Sequence, residues 1–180
     1  MELEINQAIK VLQAGGVILY PSDTIWGLGC DATNYNAVSK IFEIKKRSSN
    51  KALISLVADK KEQEMITGKK INIKIDTHPT TVIYPKAINL AKNLLAKNGS
   101  AAIRIVKDDF CIKLIKKFGK PIVSTSANLS GKVNPKKFND ICDEIKNNVD
   151  YIVNLRMNEL MDSVSKILLI DKDGSIKKIR

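Results

Sequence analysis

Short apolar runs alternate with amphipathic helical stretches along most of the chain, which restricts the fold to a sheet with helices packed on it. Residues 4–14 put Ile5, Ala8, Ile9 and Leu12 on one helical face, and Gly15-Gly16 stops that helix. An apolar strand over 17–20 follows. Asn34 is suited to cap a helix over 35–46 with Ala37, Val38, Ile41, Phe42 and Ile44 inward. Leu53 to Val57 reads as a short buried strand and 60–67 as a helix. Lys69 to Asp76 alternates basic or polar residues with isoleucine, the pattern of a half-exposed strand. Thr81 to Tyr84 reads as a strand ended by Pro85. Then come a helix over 87–97, a strand over 101–106, and a helix from Asp108 or Asp109 to about 117. A strand over 121–124, a helix over 136–147 and strands near 151–154, 166–170 and 175–179 complete the pattern. The short connection from Asp171 to Gly174 adds antiparallel pairing. The expected fold is α/β, a twisted mixed β-sheet with flanking helices, in a single domain over residues 1–180.

Composition excludes several classes. With 180 residues and 44% hydrophobic content the chain can bury one core. No apolar run approaches a membrane span, and Met1-Glu2-Leu3-Glu4 lacks the features of a signal peptide, so a cytoplasmic location without membrane association is expected. Cys30, Cys111 and Cys142 are odd in number and widely spaced, and they form neither a disulfide framework pattern nor a CxxC motif. His78 is the only histidine, which excludes a multi-histidine metal site within the chain, and it reads as a loop residue. A net charge of +11 favours polyanionic partners such as nucleotides or RNA.

Three polar segments stand out against this background. Glu43-Ile44-Lys45-Lys46-Arg47 ends an apolar-periodic helix in three cations. Taken alone, such a run pairs with the helix dipole on a solvated face. Ser124-Thr125-Ser126-Ala127-Asn128-Leu129-Ser130-Gly131 follows an apolar strand with hydroxyls and an amide. In isolation it reads as a loop. Tyr20-Pro21-Ser22-Asp23-Thr24-Ile25-Trp26-Gly27-Leu28-Gly29 leaves another strand with hydroxyls, a carboxylate, the only tryptophan and two glycines. It reads either as the lining of a binding crevice or as a plain connection with Trp26 in the core. Together, fixed cations beside small hydrogen-bonding groups suit a triphosphate and its transferring phosphoryl group.

In this order the segments resemble the YrdC/Sua5 family, the threonylcarbamoyl-AMP synthases, in their short single-domain form. Pro79-Thr80-Thr81 and Ala102-Ile103-Arg104 add to the likeness, which covers nearly the whole chain. The resemblance implies that L-threonine, bicarbonate or CO2, and ATP give L-threonylcarbamoyl-AMP and pyrophosphate. Downstream threonylcarbamoyl-transferase proteins then modify N6 of tRNA adenosine 37. It implies Lys45 and Arg47 as catalytic cations. It also implies Arg47, Lys51, Thr81, Arg104, Ser126, Asn128 and Arg180 around ATP, and Thr24 and Ser124 around threonine. Mg2+ is expected with ATP, and no prosthetic group or protein-bound metal. Ser48 stands where the family often has proline, and Thr77-His78-Pro79 where it often has Pro-Gly-Pro. There is no Walker A motif. The alternative is a non-catalytic module of the same fold that binds tRNA or double-stranded RNA, which explains the charge but not the three polar segments.

Overall fold

The computed structural model describes residues 1–47, 53–68, 77–171 and 173–180. Helix α1 (Glu2–Gln13) buries Ile5, Ala8, Ile9 and Leu12, the face its periodicity marks. Helix α2 (Tyr35–Ile44) begins at Asn34, whose side chain accepts the N–H groups of Asn36 and Ala37. Helix α3 (Lys60–Thr67) is capped by Asp59, and α4 (Asp109–Phe118) by Asp108, which accepts the Cys111 N–H. Both end at a glycine in the left-handed region, Gly68 and Gly119. The last helix, α5, is the single turn Asp143–Lys146.

The strands are β1 (Ile18–Pro21), β2 (Trp26–Gly29), β3 (Ile54–Val57), β4 (Thr80–Tyr84) and β5 (Ala101–Ile105). They continue with β6 (Ile122–Ser126), β7 (Tyr151–Ile152), β8 (Lys166–Ile170) and β9 (Ile176–Lys178). They form one mixed sheet in the order β7-β1-β2-β6-β3-β5-β4-β8-β9. The pairs β1–β7, β3–β5 and β4–β8 are parallel and the rest antiparallel. The short turn before β9 gives the antiparallel hairpin expected there.

Alternation along β1 sends side chains to opposite sides of the sheet. Leu19 joins a cluster with Trp26, Leu28 and the inner face of α2, while Ile18 and Tyr20 join α1 and α4. A third cluster holds Ile66 of α3 with Val82, Tyr84, Ala101 and Ile103. Each such large apolar side chain contributes about 1.5–3 kcal/mol by leaving water.

Several elements differ from the sequence pattern. Residues 26–29 form a strand rather than a loop, because β2 is held between β1 and β6. Its glycines serve close packing: a Cβ on Gly29 would lie 2.6 Å from Tyr20 Cε1 and 2.9 Å from the Val123 carbonyl oxygen. The helix expected over 87–97 reduces to a 3-10 turn at Lys92–Leu94. The N–H groups of Ala91 and Ala96, which a helix would give to the carbonyls of residues 87 and 92, go instead to the carbonyls of Ala32 and Ser100, so no helical ladder forms. The stretch 136–147 is broken as well. The Asp140 carboxylate accepts the N–H groups of Lys136 and Lys137, and only a 3-10 turn (Phe138–Asp140) and α5 remain. The strand expected over 69–76 lies outside the described residues, as do Ser48 and Lys51.

Candidate active site

The same period-2 rule that builds the core builds a cleft on the sheet. In β4, Val82 and Tyr84 enter the core while Thr81 and Ile83 line the cleft. In β5, Ala101 and Ile103 go to the core while Ala102 and Arg104 line the cleft. In β8, Leu168 and Ile170 pack on the core, while Ile167 and Ser165, the residue just before the strand, face the opening. Gly27 of β2, Ser124, Thr125 and Ser126 of β6, and Ile54 of β3 complete the wall. The cleft encloses about 320 Å³.

How α2 ends decides what Arg47 does. Lys45 is the C-cap, and Lys46 takes φ 48°, a left-handed conformation uncommon for a residue other than glycine. The Lys46 N–H bonds to the Glu43 carbonyl and the Arg47 N–H to that of Phe42, the two bonds of a Schellman motif. The run of three cations is therefore a helix terminus that separates its members. Lys46 points to solvent and pairs with Glu144. Arg47 turns into the cleft wall, and burial lowers its pKa. Lys45 turns inward and is only 1% exposed.

Lys45 lies behind the cleft rather than in its lining. Its Nζ donates to the carbonyls of Ser126 and Asn128, the latter at 2.6 Å, and to Asn128 Oδ1 at 3.3 Å. Its own carbonyl accepts the Ser130 N–H at 2.9 Å. The residue thus fastens the hydroxyl-rich loop to the end of α2. Burial, then the neighbouring Arg47 charge, pushes its pKa down to about 7. Asn128 belongs to the same brace. Its Oδ1 accepts from Ser126 Oγ at 2.6 Å and its Nδ2 donates to the Lys132 carbonyl, so it too is outside the cleft lining.

The loop 22–25 forms another wall. Ser22 Oγ donates to the Ile25 carbonyl at 2.8 Å and accepts the Thr24 N–H. With its one proton used there, Ser22 accepts the Thr24 hydroxyl as well, at 2.9 Å. Thr24 Oγ1 is then left as an acceptor, and Arg104 Nη2 lies 3.3 Å from it. Arg104 also pairs with Asp23 at 3.0 Å, both side chains being buried. Arg104 Nε is buried with no hydrogen-bond partner among the described residues.

Opposite, Thr81 Oγ1 and Ser165 Oγ share a hydrogen bond at 2.9 Å. The Ser165 carbonyl accepts Arg180 Nε and Nη2 at 3.1 and 3.0 Å. Arg180 is held to the sheet besides, its carbonyl accepting the Ile167 N–H. Among the residues singled out in the sequence, Thr24, Arg47, Thr81, Arg104, Ser124, Ser126 and Arg180 line one cleft. Sequence reasoning missed Ser165, Val164, Ile167 and Asn134. The signal for Ser165 was the pair of serines, Ser163 and Ser165, just before an apolar strand. His78 sits outside the cleft lining, with Nε2 3.0 Å from the Val164 carbonyl oxygen.

A mixed α/β sheet carries here a cleft of guanidinium groups and neutral hydroxyls, a lining chemically suited to a small anion. The Sua5/YciO/YrdC family model, described as telomere recombination, matches residues 10–180, and the chain belongs to that family. A threonylcarbamoyl-AMP synthase of Pseudoalteromonas translucida is 38% identical over 137 residues, 71% of this chain and 73% of the relative. One from Bacillus subtilis is 34% identical over 157 residues, 83% of this chain and 45% of the relative. In fold, the chain is similar to P. abyssi Sua5 complexed with L-threonine. The TM-score is 0.85 at 23% identity, covering 100% of this chain and 54% of that one, so this chain spans about half its length. It is also similar to E. coli YciO, with TM-score 0.81 at 22% identity, covering 100% of this chain and 89% of that one.

Proposed function

We propose that the protein is an L-threonylcarbamoyladenylate synthase, a nucleotidyltransferase that makes L-threonylcarbamoyl-AMP and pyrophosphate from L-threonine, bicarbonate or CO2, and ATP. The observation that carries this reading is the convergence of Arg47, Arg104, Thr24, Thr81, Ser124, Ser126 and Arg180 on one cleft. The relatives named threonylcarbamoyl-AMP synthase support it.

The chemistry asks for little beyond what lines the cleft. The threonine amine adds to CO2 and releases a proton, giving a carbamate. A carbamate oxygen attacks the α-phosphorus of ATP, the bond to the β-phosphate bridging oxygen breaks, and pyrophosphate leaves. No protein nucleophile is needed; alignment and charge neutralisation carry the step. In this reading Arg47 stands on the phosphates, and its planar fork matches paired oxygens. Arg104, which the resemblance puts around ATP, lies 3.3 Å from Thr24 and pairs with Asp23, so in this reading it meets charge at the amino-acid end instead. Thr24 and Ser124 bound the threonine, with Thr24 Oγ1 offering an acceptor to a hydroxyl or amine. Ser126, Thr81 and Arg180 bound the nucleotide. Lys45 and Asn128 hold Ser126 in place. Mg2+ is proposed only as the companion of ATP. The cleft lining offers hydroxyls and guanidinium groups and no Asp or Glu among the described residues, and the carboxylate of Asp23 is paired with Arg104. Those residues make no cation cage, and no step is assigned to the ion.

The product would pass to threonylcarbamoyl-transferase proteins acting on tRNA, in the cytoplasm. No helix among the described residues is long and apolar enough to cross a membrane. The test is mass spectrometry of a mixture of ATP, L-threonine and bicarbonate with the pure protein, and with L-serine for comparison. The expected product is the threonylcarbamoyl adenylate. Pyrophosphate release that ignores threonine and bicarbonate would overturn the reading.

A further inference from the structure

Arg156 lies outside the cleft lining, in the segment between β7 and β8, yet it reaches the cleft wall from behind. Its backbone has φ 55°, which costs an L side chain about 1–2 kcal/mol unless its surroundings hold it. The surroundings are specific. Nε and Nη2 donate to the two oxygens of Glu159 at 2.6 and 2.7 Å, a bidentate pair. Nη1 donates to Asp108 Oδ2 at 2.9 Å and to the Ser22 carbonyl at 3.0 Å. Asp108 is the cap of α4, and the segment that carries Arg156 continues to Val164 and Ser165 of the cleft. One guanidinium therefore ties three separate pieces of chain together.

The Ser22 contact gives this tie a consequence in the cleft. Ser22 orders Thr24 through its hydroxyl, and Thr24 meets Arg104. Arg104 is paired in turn with Asp23, the residue between Ser22 and Thr24. The loop is thus gripped from the cleft by Arg104 and from behind by Arg156. Glu159 is held below the usual carboxylate range, first by its hydrogen bond from Arg156, so the pair stays ionised.

We propose that Arg156 is a positioning residue for the amino-acid end of the cleft, fixing the Ser22 carbonyl so that Thr24 and Arg104 meet the substrate in one arrangement. The assignment to the amino acid rests on the function proposed above; the grip on the loop does not. Arg156→Lys keeps the charge but cannot span Glu159, Asp108 and the Ser22 carbonyl at once. In that variant the KM for L-threonine rises about tenfold while the KM for ATP changes less than about twofold. Hydrogen exchange of the free protein shows amides 23–25 exchanging about tenfold faster, with α1 unchanged. Unchanged exchange at 23–25 would overturn the proposal, and so would an equal rise in both KM values, the mark of a general scaffold role. If the lysine variant does not fold, Glu159→Gln takes its place, since it weakens the bidentate pair and spares the other two bonds. A rise of more than about twofold in exchange at 23–25 then supports the proposal, and no rise overturns it. Failure of the functional reading looks different. The wild-type protein would show no threonine-dependent pyrophosphate, overturning the amino-acid assignment, while the exchange contrast still reads the grip of Arg156 on the loop.

Discussion

Arg104 Nη2 lies 3.0 Å from Asp23 Oδ1, and the two side chains are only 3% and 5% exposed. Breaking a buried pair by removing one partner leaves a charge without compensation, at a cost of about 3–5 kcal/mol. Arg104→Ala is therefore expected to lose stability in that range as well as activity. The double variant Asp23→Asn with Arg104→Gln removes both charges and recovers most of the stability but none of the activity. Denaturant titration beside a pyrophosphate assay reads both quantities. A double variant as unstable as Arg104→Ala would mean that the pair is not the source of the loss.

For Arg47 the expectation is reversed. It lines the cleft half-buried just past the end of α2, where the helix dipole gives a cation only about 0.3–1 kcal/mol. Arg47→Lys keeps the charge and loses the planar fork. The variant should melt like wild type while kcat/KM falls ten- to a hundredfold, about 1.4–2.7 kcal/mol of transition-state stabilisation. Activity near wild type would leave Arg47 as part of the cleft wall with no role in the reaction.

Lys45 predicts a pH dependence whose sign can be derived. Its folded pKa is lowered from 10.5 to about 7, with burial the main cause. Between those two values the unfolded chain binds more protons at this site than the folded one, so the Lys45 contribution makes stability rise with pH. Below about 7 both states are protonated and the slope vanishes. Unfolding free energy measured from pH 6 to 9, as wild type minus Lys45→Met, should therefore be flat at first and then climb. A difference that falls across this range would contradict the placement of the ammonium.

Space rather than chemistry governs Gly29. A methyl group there would sit 2.6 Å from Tyr20 Cε1, and Tyr20 is itself fixed by its hydroxyl on the Val123 carbonyl. The backbone of β6 on the other side cannot give way cheaply. Gly29→Ala should cost about 1–3 kcal/mol, read from thermal melting. A melting temperature equal to wild type would show that Tyr20 can move aside.

The elements legible in the sequence are those whose cause is local. The inner faces of α1 and α2 follow a 3.6-residue period, and Asn34, Asp59 and Asp108 cap the helices that begin just after them. Where distant partners decide, local reading fails. β2 is a strand because β1 and β6 flank it, although its two glycines read as a loop. The stretch 87–97 is not a helix because Ala32 and Ser100 claim the N–H groups of Ala91 and Ala96, which a helical ladder would need. The cleft divides in the same way. The polar segments drew attention to Thr24, Arg47, Ser124 and Ser126, and the family likeness to Thr81, Arg104 and Arg180. Ser165 becomes part of the wall only through the pairing of β4 with β8, and no pattern near Ser165 encodes that partner.

That pairing also bears on how the protein comes to work. Thr81 and Ser165 touch across 84 positions of sequence, and the strands beside them run parallel. Contacts of such high order close large loops before anything rewards the lost entropy, and so they form slowly. On a ribosome, the β3, β5 and β6 walls can emerge and pair while the cleft still lacks its β8 side. Recovery of the cleft after dilution from denaturant should therefore trail the recovery of helical circular dichroism. Its activity would then be a late reporter of a finished fold.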